Sequence, residues 1–322
     1  MDPEYKALLE KQQYRICGDH AAVKLCHWAK ESITGRRHCY KQDFYGIVSH
    51  RCLQMTPAIN ECSHQCSFCW RVQGRDYEVK DWMEPKEMLD CLIDRQRMLI
   101  IGYKGDPRVT PEAFEEASNP DQVAISLAGE PITYPYLSDF FKECHGRGMT
   151  TFLVTNGTYP ERLEALDELP CQLYVTVAAP DRQTYVRACR PKIDDGWERI
   201  LKTLELMPSL DTRTVVRHTL VDSINFFDPE GYAKLDGIAD PDLIEPKGYV
   251  FVGGSRQRLS MSNMPSFERI LDFSVELGKL MGMEVLKERD DSRVVLLGTP
   301  GIETDIRKVC AGRFATGPGN GL

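Results

Sequence analysis

Runs of β-branched and aliphatic residues recur along the chain, with amphipathic segments between them. The runs are Gln122–Ala128 (QVAISLA), Thr151–Thr155 (TFLVT), Gln172–Ala178 (QLYVTVA), Arg213–Val221 (RTVVRHTLV) and Leu243–Val252 (LIEPKGYVFV). Each is nearly continuous in apolar character, as strands covered on both faces are. Helical periodicity predicts helices at Pro85–Ile101, Tyr136–Arg147, Glu161–Leu169, Gly196–Leu206, Pro229–Ile238 and Pro265–Met281. Several carry proline in the first turn, where its missing N–H costs little. With a further strand just before Cys62, about six βα units result. The expected fold class is α/β, a partial (β/α)6 TIM-like barrel, with a doubly wound sheet as the alternative. Either places the reactive site at the C-terminal ends of the strands.

Composition changes this picture at the N-terminus. Residues 1–54 have no barrel-like strands and read as an extension; 55–290 carry the barrel, and 291–322 a C-terminal strand and a loose tail rich in Gly and Pro. No apolar run approaches the roughly 20 residues that span a bilayer, so no membrane partner is expected. The charged start, MDPEYKALLEKQQYR, lacks an apolar signal core, and a cytoplasmic monomer is expected. The net charge of −8 argues against indiscriminate nucleic-acid coating. Yet between Ala21 and Gln54 six basic residues stand against two acidic ones, enough to hold a polyanion at one place or to form a solvated face.

Twelve cysteines suggest thiolate metal ligands sooner than disulfides, and seven of them lie in the first 69 residues. Cys17, Cys91, Cys144, Cys171, Cys189 and Cys310 are expected as small buried packing residues. The other six form two triads. Cys62, Cys66 and Cys69, in Glu61-Cys62-Ser63-His64-Gln65-Cys66-Ser67-Phe68-Cys69-Trp70-Arg71, have the spacing C-x3-C-x2-C. Three thiolates can hold three irons of a [4Fe–4S] cube and leave the fourth open; a zinc knuckle with His64 is the alternative. Cys26, Cys39 and Cys52 are spaced with twelve residues between each pair, and alone they allow a zinc site completed by His27, His38 or His50.

The first triad, with an aromatic before its third cysteine, resembles the radical S-adenosylmethionine superfamily. That resemblance implies S-adenosylmethionine on the open iron and one-electron cleavage to a 5′-deoxyadenosyl radical. Gly129-Glu130-Pro131, ending a candidate strand, matches the superfamily element that contacts the methionyl amino group, with the glycine letting the backbone approach the ligand and the carboxylate pairing with an ammonium. Thr155 and Asn156 end the next strand and face the same mouth, a plain strand-to-helix turn being the other reading.

From Val23 to Arg71, KLCHWAK, CYKQDFYGI, SHRC and CSHQCSFCWR resemble the tRNA 4-demethylwyosine synthases in their short archaeal form. SLAGEPITYP, TFLVTNG, LYVTVAAP, TLVDSIN, LIEPKGYVFVGGS and SMSNMP extend the likeness over most of the chain. The resemblance implies a radical S-adenosylmethionine partial barrel, and condensation of N1-methylguanosine at position 37 of phenylalanine tRNA with the C2–C3 unit of pyruvate, a carbon–carbon lyase activity. The radical would take hydrogen from the N1-methyl group, and the resulting carbon radical would add to the pyruvate carbonyl with loss of C1 and ring closure. It further implies two [4Fe–4S] clusters, one on Cys62, Cys66 and Cys69, the other on Cys26, Cys39 and Cys52 with an iron open to pyruvate. Lys41 matches a lysine proposed to form a Schiff base with pyruvate; a phosphate contact or a solvated charge is the plainer reading. The electron donor would be a separate flavodoxin or ferredoxin.

Arg182, Arg187, Arg190 and Lys192 form a second candidate phosphate patch, or an exposed helix face. Ala178, Asp222 and Pro246 depart from the family pattern and put strand-end ribose or tRNA contacts in question. Another radical S-adenosylmethionine enzyme, such as an RNA methylase or glycyl-radical activase, and a non-catalytic metal-stabilised RNA-binding module are the competing functions.

Overall fold

The computed structural model describes residues 1–314. Ten strands make one sheet: β1 Arg15–Cys17, β2 Ala21–Val23, β3 Cys52–Thr56, β4 Gln122–Ile125, β5 Thr150–Thr155, β6 Gln172–Thr176, β7 Arg213–Leu220, β8 Leu243–Gly248, β9 Glu284–Arg289 and β10 Val294–Gly298. Their order is β1-β2-β3-β4-β5-β6-β7-β8-β10-β9. The six strands β3 to β8 pair in parallel, each with its successor in sequence. Antiparallel β2 and β1 extend one edge, and β10 and β9 the other. This is the expected α/β partial barrel.

The helices are α1 Pro3–Lys11, α2 His27–Ile33, α3 Tyr40–Tyr45, α4 Pro85–Ile100, α5 Pro111–Ser118, α6 Leu137–Gly146, α7 Pro160–Glu164, α8 Arg182–Cys189, α9 Gly196–Leu206, α10 Pro229–Ala239, α11 Phe267–Met281 and α12 Ile306–Val309. Alternate strand residues face different cores, because side chains in a strand repeat with period two. Leu53, Met55, Ile125, Leu153, Leu173, Val216 and Ile244 pack under Leu89, Phe140, Ile200, Leu235 and Leu277 of the covering helices. On the concave face, Phe152, Tyr174, Val215, Leu243, Val294 and Leu296 pack against Tyr40, Phe44, Tyr45 and Ile47. Helix α3 of the extension therefore fills the inside of the partial barrel. That is why the strands are apolar on both faces; burying Phe44 completely contributes roughly 1.5–3 kcal/mol.

Several expectations are corrected. Strands β4, β6 and β8 stop before the apolar runs do, since residues such as Ser126–Ala128 leave the ladder for the site loops: the N–H groups of Ser126 and Leu127 both donate to the Met55 carbonyl. Residues 1–54 do hold strands, β1 and β2, and β3 runs across residue 54. Helix α8 lies in a stretch too polar to show helical periodicity. Cys17 and Cys91 form a disulfide, as do Cys171 and Cys310, where packing thiols were expected; sequence separations of 74 and 139 hide both pairings. Cys144 and Cys189 are free and buried. Of the Gly/Pro-rich tail, Ala311–Arg313 form a 3-10 turn whose Arg313 pairs with Glu168 at 3.5 Å; residues from 315 on lie outside the described residues.

Candidate active site

Six residues after β3 ends, Cys62 opens the cysteine loop, at the C-terminal end of the sheet. The loop is held by its neighbours. Gln65 N–H donates to the Cys189 carbonyl at 3.1 Å and Ser67 N–H to the Ala188 carbonyl at 2.9 Å, both at the end of α8. Arg258 donates to the carbonyls of Ser67 and Cys69. From the end of β5, Asn156 Nδ2 donates to Ser63 Oγ at 2.8 Å and approaches Cys62 Sγ at 3.6 Å. Burial, followed by the Glu130 and Cys66 charges, pushes the Cys62 thiol well above its usual value. His64 donor or acceptor Nε2 sits 2.7 Å from Tyr185 Oη, and burial lowers its pKa to about 4. The ligand atoms of His64, Cys66 and Cys189 lie within 4.8 Å of one another, so the zinc alternative would draw on Cys189 rather than on the whole C-x3-C-x2-C triad.

Gly129 has φ +67, and a Cβ there would stand 1.8 Å from the Ala58 carbonyl oxygen. Its freedom thus serves contact with the segment leading to the cysteines, while Gly129 itself lines the cavity. Glu130 N–H donates to the Glu61 carbonyl at 2.8 Å, fixing the same junction. The Glu130 carboxylate is buried; it accepts from Thr155 Oγ1 at 2.6 Å and Asn156 N–H at 2.9 Å. Burial raises its pKa to about 7 in spite of these bonds. Among the described residues it has no cationic partner within ion-pair distance, and it faces the cavity. A buried carboxylate in that state suits an incoming ammonium, such as the amino group of S-adenosylmethionine. Pro131 follows in the cavity wall.

That cavity has a volume of about 440 Å³. Its walls include Cys62, Cys66, Cys69, Glu130, Thr155 and Asn156, and they extend to Arg217, Thr219 and Lys247 at the ends of β7 and β8. Sequence reasoning missed Arg71, which lines the same space. Its guanidinium lies 2.9 Å from the Trp70 ring centroid, Nη1 donates to Tyr14 Oη at 2.5 Å, and Nη2 is buried without a partner.

The second triad lies lower. Cys26 and Cys39 cap α2 and α3, and Cys52 begins β3. Cys26 Sγ accepts from Ala29 N–H at 3.2 Å. Burial, then the neighbouring thiol of Cys39, pushes Cys26 up to about 11; burial, then Cys26 and Cys39, raises Cys52 as well. All three thiols are partly buried at the starts of their elements. Of the candidate histidines, His38 bonds Asp43 at 2.9 Å and His50 bonds Glu116 at 2.7 Å and Ser32 at 2.9 Å, while His27 packs on Trp28.

Lys41 is buried beside this triad, its Nζ 4.0 Å and 4.5 Å from the Phe152 and Tyr174 ring centroids. Burial and then the Arg217 charge lower its pKa to about 8. Lys41, Cys26, Cys39 and Cys52 are not among the residues lining the cavity. Between them lies a network the sequence did not announce. Glu245 accepts from Arg217 Nη2 at 2.6 Å, Tyr174 Oη at 3.1 Å, Tyr40 Oη at 3.3 Å and Tyr45 Oη. Burial would raise its carboxyl, but Arg217 and then Lys41 hold it below the usual value. The available signal was the charged residues Arg217, Glu245 and Lys247 inside the apolar runs of β7 and β8.

Several bases of 21–54 are engaged within the fold. Arg36 and Arg37 pair with Glu31 at 3.7 and 3.4 Å, Arg51 pairs with Asp121 at 2.9 Å, and Lys41 is inside. In the second basic group, Arg182 pairs with Glu198 and Lys192 with Asp76, each at 2.6 Å, and Arg187 donates to the Ile224 carbonyl. Asp222 pairs with Arg269, Pro246 is buried in β8, and the Ala178 carbonyl accepts from Asn225 at 2.8 Å.

The profile of the radical SAM superfamily matches residues 56–235, and that of wyosine base formation matches 238–299. The S-adenosyl-L-methionine-dependent tRNA 4-demethylwyosine synthase of Pyrococcus horikoshii is 53% identical over 92% of this chain and 89% of its own. The chain belongs to this synthase family. The Methanocaldococcus jannaschii member is 39% identical, covering 92% of this chain and 96% of its own. Among solved structures, TYW1 with a lysine-pyruvate adduct bound is similar with a TM-score of 0.87 and 37% identity over 95% of this chain and 99% of that one. Archaeal TYW1 is similar with a TM-score of 0.79 and 33% identity, over the same shares. Membership makes the chain a radical S-adenosylmethionine enzyme of wyosine biosynthesis, using S-adenosylmethionine and a [4Fe–4S] cluster. No described helix is long and apolar enough to cross a membrane.

Proposed function

We propose that this chain joins the C2–C3 unit of pyruvate to N1-methylguanosine at position 37 of phenylalanine tRNA, forming 4-demethylwyosine as a carbon–carbon lyase. The observation that carries the proposal is the single cavity running from the cysteine loop and Glu130 to Arg217 and Lys247, in a member of this family. Cys62, Cys66 and Cys69 would hold the S-adenosylmethionine cluster, and Cys26, Cys39 and Cys52 a second [4Fe–4S] cluster. When bound and reduced, the first supplies a 5′-deoxyadenosyl radical. The chain's residues do the placing. Glu130 receives the ammonium of S-adenosylmethionine, while Thr155 and Asn156 orient that carboxylate. Lys41 supplies an amine to the pyruvate ketone, as in the adduct of the TYW1 relative, and the Phe152 and Tyr174 rings keep water from it. Trp70, at the cavity wall and partly exposed, offers a surface on which an extruded base can stack.

The enzyme is expected to work as a cytoplasmic monomer fed by a separate flavodoxin or ferredoxin. The test is anaerobic reconstitution, then incubation with methylated tRNA, S-adenosylmethionine, dithionite and pyruvate. A tricyclic base that forms only with pyruvate supports the reading. Production of 5′-deoxyadenosine with no pyruvate-dependent base refutes it.

A further inference from the structure

Lys247 stands above a buried charge network whose only carboxylate is taken. On β8, Leu243, Glu245 and Lys247 follow one another at alternate positions on the concave face, so Lys247 lies two residues nearer the cavity than Glu245. The oxygens of Glu245 are fully used: Oε1 accepts from Tyr45 and Tyr174, and Oε2 from Arg217 Nε, Arg217 Nη2 and Tyr40. Lys41, which is buried, and Arg217 and Lys247, which are partly buried, thus share one carboxylate, and it is Arg217 that holds it in an ion pair of 2.6 Å. Among the described residues, no carboxylate pairs with Lys247. Its Nζ donates to the Ser292 carbonyl at 2.9 Å and lies 4.5 Å from the Tyr40 ring centroid. An ammonium carries three hydrogens, so further donors remain for the cavity that Lys247 lines.

A partly desolvated cation with no carboxylate in ion-pair contact gains from one, and the cavity that Lys247 lines is where an anion can reach it. A 2-ketoacid meets that need: its carboxylate is one bond from the carbon that a lysine amine attacks. We propose that Lys247 is the counter-ion of the ketoacid carboxylate and sets the preference for a 2-ketoacid over an uncharged ketone. The inference rests on the pyruvate reading above and adds the residue that recognises the acid. Arg217 also keeps an unused Nη1 toward the cavity, but its charge is already matched by Glu245, which leaves Lys247 as the cation without a paired anion. Lys41, outside the cavity lining, is left to meet the ketone carbon.

The chemistry gives a direct assay. The Lys41 amine and a ketone form an imine with loss of water, and borohydride delivers hydride to the imine carbon to leave a stable secondary amine. Peptide mass mapping then counts adducts on Lys41 in the reconstituted protein, using pyruvate or hydroxyacetone, which carries CH2OH in place of the carboxylate. The wild type should half-saturate at a lower concentration of pyruvate than of hydroxyacetone. Lys247→Met should raise the pyruvate value roughly 10- to 100-fold, the size of a lost charged hydrogen bond, and move hydroxyacetone far less. Lys247→Arg should recover part of the preference. The ratio of the two ketones is taken within one preparation, so a partly unfolded variant does not distort it. A Lys247→Met protein with the wild-type ratio overturns the assignment. Absence of any adduct on wild-type Lys41 overturns the pyruvate reading itself, and is seen without any Lys247 variant.

Discussion

The two cysteine triads are assembled by opposite means. Cys62, Cys66 and Cys69 share one loop after β3, so their proximity is written into eight consecutive residues and needs the rest of the molecule only to clamp it. Cys26, Cys39 and Cys52 stand at the starts of α2, α3 and β3, and meet only because α3 packs inside the partial barrel. The loop triad borders the cavity; the other does not line it and has Lys41 beside Cys39 and Cys52. A local motif can be moved between folds, whereas the second triad depends on the core that buries α3. Damage to that core should therefore reach the second triad first.

The largest expected effect is on iron. Replacing Cys26, Cys39 and Cys52 together by Ala should cut reconstituted iron from about eight to about four per chain, and the loop triad should still bind S-adenosylmethionine. An unchanged iron count would erase the contrast between the triads. Next comes the network behind the cavity. Glu245→Ala leaves the Arg217 charge buried and strips three tyrosine hydroxyls of their acceptor, and should cost roughly 3–5 kcal/mol in urea denaturation. The second triad should load poorly in that variant. On the other side, Gly129→Ala forces a Cβ against the Ala58 carbonyl in a left-handed conformation. A loss of about 2 kcal/mol or more is expected, with S-adenosylmethionine binding affected more than the extension's iron.

The smallest effect concerns pH. His20, on the turn between β1 and β2, bonds the Pro57 carbonyl through Nδ1 at 2.6 Å and accepts from Met83 N–H through Nε2 at 2.9 Å, so it is neutral when folded. Burial lowers its pKa below the ordinary 6.5. The unfolded chain then takes up the proton first as pH falls, so this contribution is complete above 6.5 and is lost as pH drops through the folded-state value. His20→Gln should show a flatter stability profile between neutral and acid pH. An identical slope in both proteins would remove His20 from the account.

The parallel strands were legible because burial on both faces leaves a continuous apolar signature, and the cysteine loop because its geometry is local. The reason for that double burial was not legible: nothing in YKQDFY says that Tyr40, Phe44 and Tyr45 enter the barrel rather than cover it. Edge strands escaped notice for simpler causes. β1 and β2 have three residues each, and β9, EVLKER, is mostly charged. Glu245 and Lys247 looked like polar interruptions in LIEPKG, and only the register against Arg217 and Thr219 of β7 turns them into a column leading to the cavity.

The most direct test of the central claim, that the two triads do different work on one substrate, is the Cys39→Ala enzyme. It would be given methylated tRNA, S-adenosylmethionine, pyruvate and reductant, with 5′-deoxyadenosine and the tricyclic base measured in the same reaction. The expected result is 5′-deoxyadenosine without the tricyclic base. Formation of the base at the wild-type yield would contradict it.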